Sequence, residues 1–363
     1  MTKRKKARMK KAPIVFLVIL SLILGICFIM RTYDLKLIAS INKLEKLGYN
    51  KLEIDTISKD EETLNYAISN DYNESLITFM NASGFDVNKL NDYQTYLENN
   101  NNANIDDVVL IVNNDIDYKY DNVLVSVVKE KYFIKDRINR YMKYAEDFPS
   151  LNSYKIVTYV NSNLDFDYYT NVSDSDTSLK TLMLVNKYYK LDENYSLDLV
   201  EMDMKYSKRE GSMLNKEAYE AFKRLSDAAR LENLSILNQS AYRSYNTQSN
   251  LYNNYLKQDG LEWTDKWSAR PGHSEHQTGL ALDVLTKDCN SLGEFEKTEE
   301  FKWMQKNAHK YGFILRYPKD GTLKTGYGYE PWHYRYVGLD AAKTIYEEKI
   351  TFEEYYAYYI LKK

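Results

Sequence analysis

Apolar and polar positions divide the chain into stretches of different rhythm. From Ala12 to Met30 nineteen residues carry no charge, APIVFLVILSLILGICFIM. That approaches the ~20 residues a helix needs to cross ~30 Å of hydrocarbon, so the run predicts a transmembrane anchor over 12–30. Between 84 and 98 apolar side chains recur at helical spacing, with Phe85, Leu90, Tyr93 and Leu97 on one side. A short apolar run, VVLIVN, follows and predicts a strand, then an Asn/Asp turn. The same order returns 48 residues later. GFDVNKLNDYQTYLE (84–98) aligns with YFIKDRINRYMKYAE (132–146), pairing Phe85 with Phe133, Asn91 with Asn139, Tyr93 with Tyr141 and Tyr96 with Tyr144. IVTYVN repeats the second apolar run, and Tyr120 matches Tyr168. Two copies are fewer than the three or more a solenoid needs. The expected product is a small α/β repeat region over 32–178, a spacer or, alternatively, a docking module.

From about Leu179 the pattern is crisper. LMLVNK (182–187) reads as a strand, and Asn215 can cap a helix whose apolar face is Ala218, Phe222, Leu225 and Ala229. LSILNQSAYRS (234–244) reads as a strand, and 247–260 as a helix closed by Gly260. GLALDVLT (279–286) alternates as a strand does, and 301–312 is a helix stopped by Gly312. FILRYP (313–318) and WHYRYVG (332–338) complete the strands. Strands and helices interleave without a regular βαβ rhythm. The fold class expected for 179–363 is therefore α+β, a mainly antiparallel sheet flanked by helices.

Charge adds a location. Residues 1–11 hold seven Lys/Arg and no acid, a basic tail that the positive-inside rule keeps in the cytoplasm. The rest of the chain would then be extracytoplasmic, held to the cell membrane by a single pass. A cleaved signal peptide is the rival reading, but the run is long and ends in FIMRTYD without a small-x-small site. Removing the seven positive charges from the formal −3 leaves −10, a body that does not suit nucleic acid. Cys27 in the span and Cys289 outside it should not pair. The 35 Tyr follow the Lys, Asn and Ile excess of the whole chain and do not by themselves indicate a sugar site.

Rare residues then concentrate the chemistry. All four His and all four Trp lie between Trp263 and His333. SEHQTGLALD (274–283) and EPWH (330–333) supply His276, Asp283 and His333, two imidazoles and one carboxylate. Three protein ligands with an open fourth position is how a catalytic zinc is held, although non-haem iron uses the same ligand types. Glu330 is the spare carboxylate, a base of the kind metal-assisted hydrolysis requires. His273, between Gly272 and Ser274, reads as a supporting loop residue, and His309 as a surface or packing residue of its helix. Pro331 rules out a continuous helix through Glu330 and His333, so a turn followed by a strand is expected there.

These two segments, with SAYRSYNTQ (240–248) and PGH (271–273), resemble the VanY-type zinc D-alanyl-D-alanine carboxypeptidases, relatives of the VanX-like dipeptidases and cell-wall L,D-carboxypeptidases. The resemblance covers about Leu179 to Tyr358. It implies one zinc on His276, Asp283 and His333, and Glu330 as general base. Arg243 would stabilise the oxyanion or clamp the substrate, and Gln248, Ser274 and Trp332 would contact substrate. The substrate implied is a peptidoglycan stem peptide. D,D cleavage, L,D cleavage and a wall-binding module that keeps zinc only for its fold are the readings to separate.

Overall fold

The computed structural model describes residues 30–33, 35–195 and 198–361. The predicted span 12–30 lies, Met30 apart, outside them. Among the described residues no helix is long and apolar enough to cross a membrane. Two compact units divide after Val128. The division falls within 32–178: the first repeat copy belongs to the first unit, and the second copy to the unit that carries SEHQTGLALD and EPWH.

The repeat copies are helical where strands were expected. VVLIVN lies in helix α1 (Ile105–Asn113) and IVTYVN in helix α2 (Ser153–Asn161). A short apolar run fits a buried helix as well as a strand, and the caps decide. The Asn104 side chain accepts from the Asp107 amide at 2.9 Å, and Asn152 accepts from the Lys155 amide at 3.0 Å. Each asparagine thus satisfies an orphan donor at a helix start, worth ~1 kcal/mol. One polar knot recurs in both copies. The Tyr93 hydroxyl donates to Asn113 Oδ1 at 2.6 Å, and Asn113 Nδ2 donates to the Gly84 carbonyl at 2.7 Å. In the second copy Tyr141 donates to Asn161 at 2.5 Å, and Asn161 Nδ2 donates to the Tyr132 carbonyl at 2.9 Å.

The second unit mixes helices with three small sheets. β1 (Ser173–Asp174) and β2 (Tyr189–Lys190) pair in parallel; β3 (Leu199–Glu201) and β4 (Met213–Asn215) pair antiparallel. β5 (Leu237–Ser240), β6 (Ala281–Leu285), β7 (Phe313–Leu315) and β8 (His333–Tyr336) form an antiparallel sheet in the order β5-β6-β8-β7. The expected single antiparallel sheet is therefore corrected to this four-stranded one plus two short pairs. LMLVNK is a buried irregular segment rather than a strand. Its backbone is satisfied from a side chain: Arg335 Nη2 donates to the carbonyls of Thr181 and Met183 at 3.0 and 2.8 Å.

Helix α3 (Lys216–Leu231) is capped by Asn215 and buries Ala218, Phe222, Leu225 and Ala229. Its Phe222 ring meets Phe313 edge-on at 6.2 Å, on the core face of the sheet. Val284, Leu282, Tyr334 and Met304 fill the same core, each large apolar side chain contributing ~1.5–3 kcal/mol. Helix α4 (Tyr245–Trp267) is broken at Gly260, whose φ of 79° and ψ of 174° are not helical: the expected helix closes there, and a second one runs on to Trp267.

Candidate metal centre and active site

Strand register supplies two of the three expected ligands. Asp283 on β6 is the direct partner of His333 on β8, so their side chains leave the same face of the sheet. His276 arrives separately, on a single turn of 3-10 helix, Glu275–Thr278. Ser274 caps that turn, its Oγ accepting from the His276 amide at 3.4 Å. Gly279 ends it with φ 62° and ψ 12°, a left-handed conformation that glycine adopts without a Cβ penalty.

The three side chains are buried, and one donor atom from each lies within 4.8 Å of the others. Asp283 Oδ1 is 3.5 Å from His276 Nε2 and 3.1 Å from His333 Nδ1. Donors ~2.0–2.2 Å from a tetrahedral zinc stand about 3.3 Å apart, so these spacings fit one ion. The outward ring nitrogens are fixed by protein acceptors. His276 Nδ1 donates to the Ala241 carbonyl at 2.6 Å, leaving Nε2 as the donor to a metal. His333 Nε2 lies 3.4 Å from Glu275 Oε2, leaving Nδ1 as its donor. A carboxylate behind a ligating imidazole sets its tautomer and raises its basicity.

Glu275 was not anticipated. Its Oε1 accepts from Arg316 Nε at 2.7 Å and Arg335 Nη1 at 2.9 Å, and Arg316 also grips Glu353 through two bonds of 2.8 and 2.6 Å. All four groups are essentially excluded from water. Against the cost of burial, the two arginines hold Glu275 far below the ordinary carboxylate range. The sequence carried a signal: Arg316 and Arg335 each interrupt an otherwise apolar strand segment, FILRYP and WHYRYVG. Such a position demands a buried partner.

The carboxylates favour a cation between the imidazoles. Asp283 is held well below its usual range against its burial, chiefly by His276. Burial opposes a charge on His333, yet the bonds to Asp283 and Glu275 raise it to about 9. Glu330 behaves in the opposite sense. Burial pushes it up to about 7 despite His333 and Arg243 nearby. It sits on a turn, where the His333 amide donates to the Glu330 carbonyl at 3.2 Å, and its Oε2 is 3.7 Å from His333 Nδ1. Turn and strand thus bring both side chains to one point, as Pro331 requires.

The remaining candidates divide. Arg243 Nη2 is 4.0 Å from Asp283 Oδ2, at the edge of the donor set. Gln248 is buried, and its amide is committed on both sides: Oε1 accepts from Arg243 Nη1 at 3.0 Å, and Nε2 donates to the Ala269 carbonyl at 2.7 Å. Gln248 therefore orients Arg243. Arg243, Gln248, Ser274 and Trp332 all line the same cavity of about 660 Å³ as His276, Asp283, Glu330 and His333. Tyr255, Trp267 and Tyr327 also line it, as does Tyr317, whose ring lies 4.9 Å from that of His333. His273 points away, its Nδ1 2.7 Å from the Asn186 carbonyl, and His309 stacks on Tyr346 at 3.6 Å.

Residues 211–339 match the family described as VanY, D-alanyl-D-alanine carboxypeptidase. YodJ of Bacillus subtilis (strain 168) is 45% identical over 181 residues, 48% of this chain and 66% of that protein, so the chain spans just under two thirds of its length. VanXYC of Enterococcus gallinarum, named a bifunctional D-Ala-D-Ala dipeptidase and D-Ala-D-Ala carboxypeptidase, is 37% identical over 184 residues, 50% of this chain and 95% of that protein. The solved vancomycin-resistance D,D-pentapeptidase VanY, a variant in complex with Zn(II), is 33% identical and covers 48% of this chain and 98% of its own, with a TM-score of 0.43. The two-imidazole, one-carboxylate donor set of His276, Asp283 and His333 is of the kind that holds zinc. With nearly the whole of VanXYC matched at this identity, the chain belongs to the VanY family of D-alanyl-D-alanine carboxypeptidases.

Proposed function

We propose that the chain is a zinc carboxypeptidase that removes the C-terminal D-alanine from peptidoglycan stem peptides, with the D,D bond of the pentapeptide as its preferred target. The observation that carries this reading is the position of Glu330. Its carboxylate is largely but not fully enclosed, lies 3.7 Å from His333 Nδ1 and faces the same cavity as the donor set. Zinc, when bound by His276, Asp283 and His333, supplies Lewis acidity for the scissile carbonyl and the attacking water. Glu330, raised to about 7, takes a proton from that water and passes it to the leaving amine near neutral pH. Arg243, kept in place by Gln248, faces the charge that develops on the carbonyl oxygen or the terminal carboxylate. Ser274 and Trp332 border the substrate.

The same reading puts the site outside the cell, behind an uncleaved anchor at 12–30 with the basic 1–11 tail in the cytoplasm. The names of the relatives support the substrate class. The test incubates the full-length chain with pentapeptide and tetrapeptide stems, with and without chelator, and identifies the products by mass spectrometry. D-alanine from the pentapeptide alone supports the D,D reading, and release from the tetrapeptide alone replaces it with L,D cleavage. No release from either, or release that survives chelation, refutes the proposal. Glu330→Gln separates enzyme from zinc-containing binding module, since an enzyme loses turnover and keeps its metal.

A further inference from the structure

The segment that follows the second repeat copy reaches the wall of the active site. Tyr169, one residue beyond the Tyr168 that matches Tyr120, has φ 61°, a left-handed backbone uncommon for a bulky side chain. Such strain persists only where surrounding contacts over-determine it. Here the Tyr169 ring lies 4.0 Å from the Arg270 guanidinium and meets the His273 ring edge-on at 5.0 Å. Its hydroxyl accepts from the Arg270 amide at 3.4 Å and from Lys187 Nζ at 3.3 Å. Lys187 is itself enclosed. Its ammonium lies 4.6, 4.8 and 4.0 Å from the rings of Tyr168, Tyr169 and Tyr327 and donates to the Asp265 carbonyl.

Those contacts converge on residues 265–274. Arg270 grips Asp265 through two bonds of 3.1 and 2.9 Å, and the Tyr252 hydroxyl adds a third at 2.7 Å. From the segment so held, the Ala269 carbonyl fixes Gln248, Gln248 fixes Arg243, and Ser274 begins the turn that carries His276. The first repeat copy lacks the ring at the matching position. Asp121 stands where Tyr169 stands in the second copy, and its side chain accepts from the Val123 amide at 2.6 Å. Tyr169 and Lys187 also lie outside the family match at 211–339.

We infer that Tyr169 is a positioning residue of the active site: with Lys187 it holds the 265–274 segment in the register from which Ala269 and Gln248 set Arg243. The segment that follows the second repeat copy then supports the active site and is not a spacer. The kinetic side of this inference rests on the peptidase reading above. Its test compares full-length wild type with Tyr169→Ala, Tyr169→Phe, Lys187→Met and a control within the second copy itself, Tyr159→Ala. Zinc content, kcat and KM on the stem peptide, and amide exchange over 240–248 and 265–276 are measured. Displacing a clamp by about 1 Å costs on the order of 100-fold, so Tyr169→Ala and Lys187→Met should lose ~10–100-fold in kcat/KM. Both should keep their zinc and exchange faster in both segments. Tyr169→Phe keeps the ring on Arg270 and should stay within about fivefold of wild type. Tyr159→Ala should lower the unfolding midpoint and leave kcat/KM and both exchange patterns unchanged. Wild-type kinetics and exchange in Tyr169→Ala, or an equal loss in Tyr159→Ala, overturns the inference. If wild type cleaves no stem peptide the peptidase reading fails, and the exchange patterns alone decide the positioning role.

Discussion

Nε2 of His333 lies 3.4 Å from Oε2 of Glu275, while Oε1 of the same carboxylate is held by two buried arginines. One side chain thus orients a proposed metal ligand and ties it to the buried ion network of Arg316, Arg335 and Glu353. Removing one partner of a buried network strands the others, at ~3–5 kcal/mol. Losing the carboxylate behind a ligating histidine costs about 10–100-fold in metal affinity. Glu275→Gln should therefore show both effects, a lower unfolding midpoint and weaker zinc binding in a competition titration. Either effect without the other would separate the two roles.

Glu330→Gln removes the group assigned to proton transfer and no ligand. Turnover should fall ~10²–10⁴-fold, the usual worth of a positioned acid–base group, with zinc stoichiometry unchanged. Glu330 acts as a base only when ionised, and burial raises it to about 7. Activity should accordingly rise with pH along an acid limb at or below about 7, because a bound cation favours the carboxylate. In the variant that limb should vanish from the residual rate, which a pH profile of kcat/KM would reveal.

His273 gives the fold an acid sensitivity of its own. Burial lowers it to about 4, against an ordinary value of 6.5. The unfolded chain binds this proton below pH 6.5 and the folded chain does not. Stability is therefore complete above pH 6.5 and declines as pH falls toward 4, by ~3 kcal/mol in all. Denaturant unfolding of wild type and His273→Gln at pH 7 and pH 4.5 should show the variant losing less stability over that interval. Parallel losses in the two proteins would contradict this.

The repeated tyrosine–asparagine knot should have the same value in both units. Tyr93→Phe and Tyr141→Phe each remove a hydroxyl that donates to an asparagine oxygen and accepts from a backbone amide, that of Asp86 or Ile134, at otherwise unchanged packing. Each should cost ~1–3 kcal/mol. Exchange protection measured by mass spectrometry should fall in α1 for the first variant and in α2 for the second.

What the sequence determined by itself is the set of groups that must meet. Four histidines leave few three-ligand combinations, and the SEHQTGLALD and EPWH segments carried His276, Asp283, Glu330 and His333 in full view. Asn215 and the 218–229 stripe likewise fixed a helix, because capping and periodicity act over a few residues. Tertiary structure decided the rest, for reasons no local pattern holds. The Asn104 and Asn152 caps of VVLIVN and IVTYVN were local, but only the helical neighbours of the folded chain decide helix over strand for such short apolar runs. LMLVNK stayed out of the sheet because Arg335, about 150 positions away, bonds its carbonyls. Gln248 braces Arg243, a role no local pattern shows, because Ala269 and Arg243 occupy both ends of its amide. Glu275 and Tyr169 owe their roles to long-range partners as well. A buried charge takes its function from whatever neutralises it, and only the folded chain brings that partner within reach.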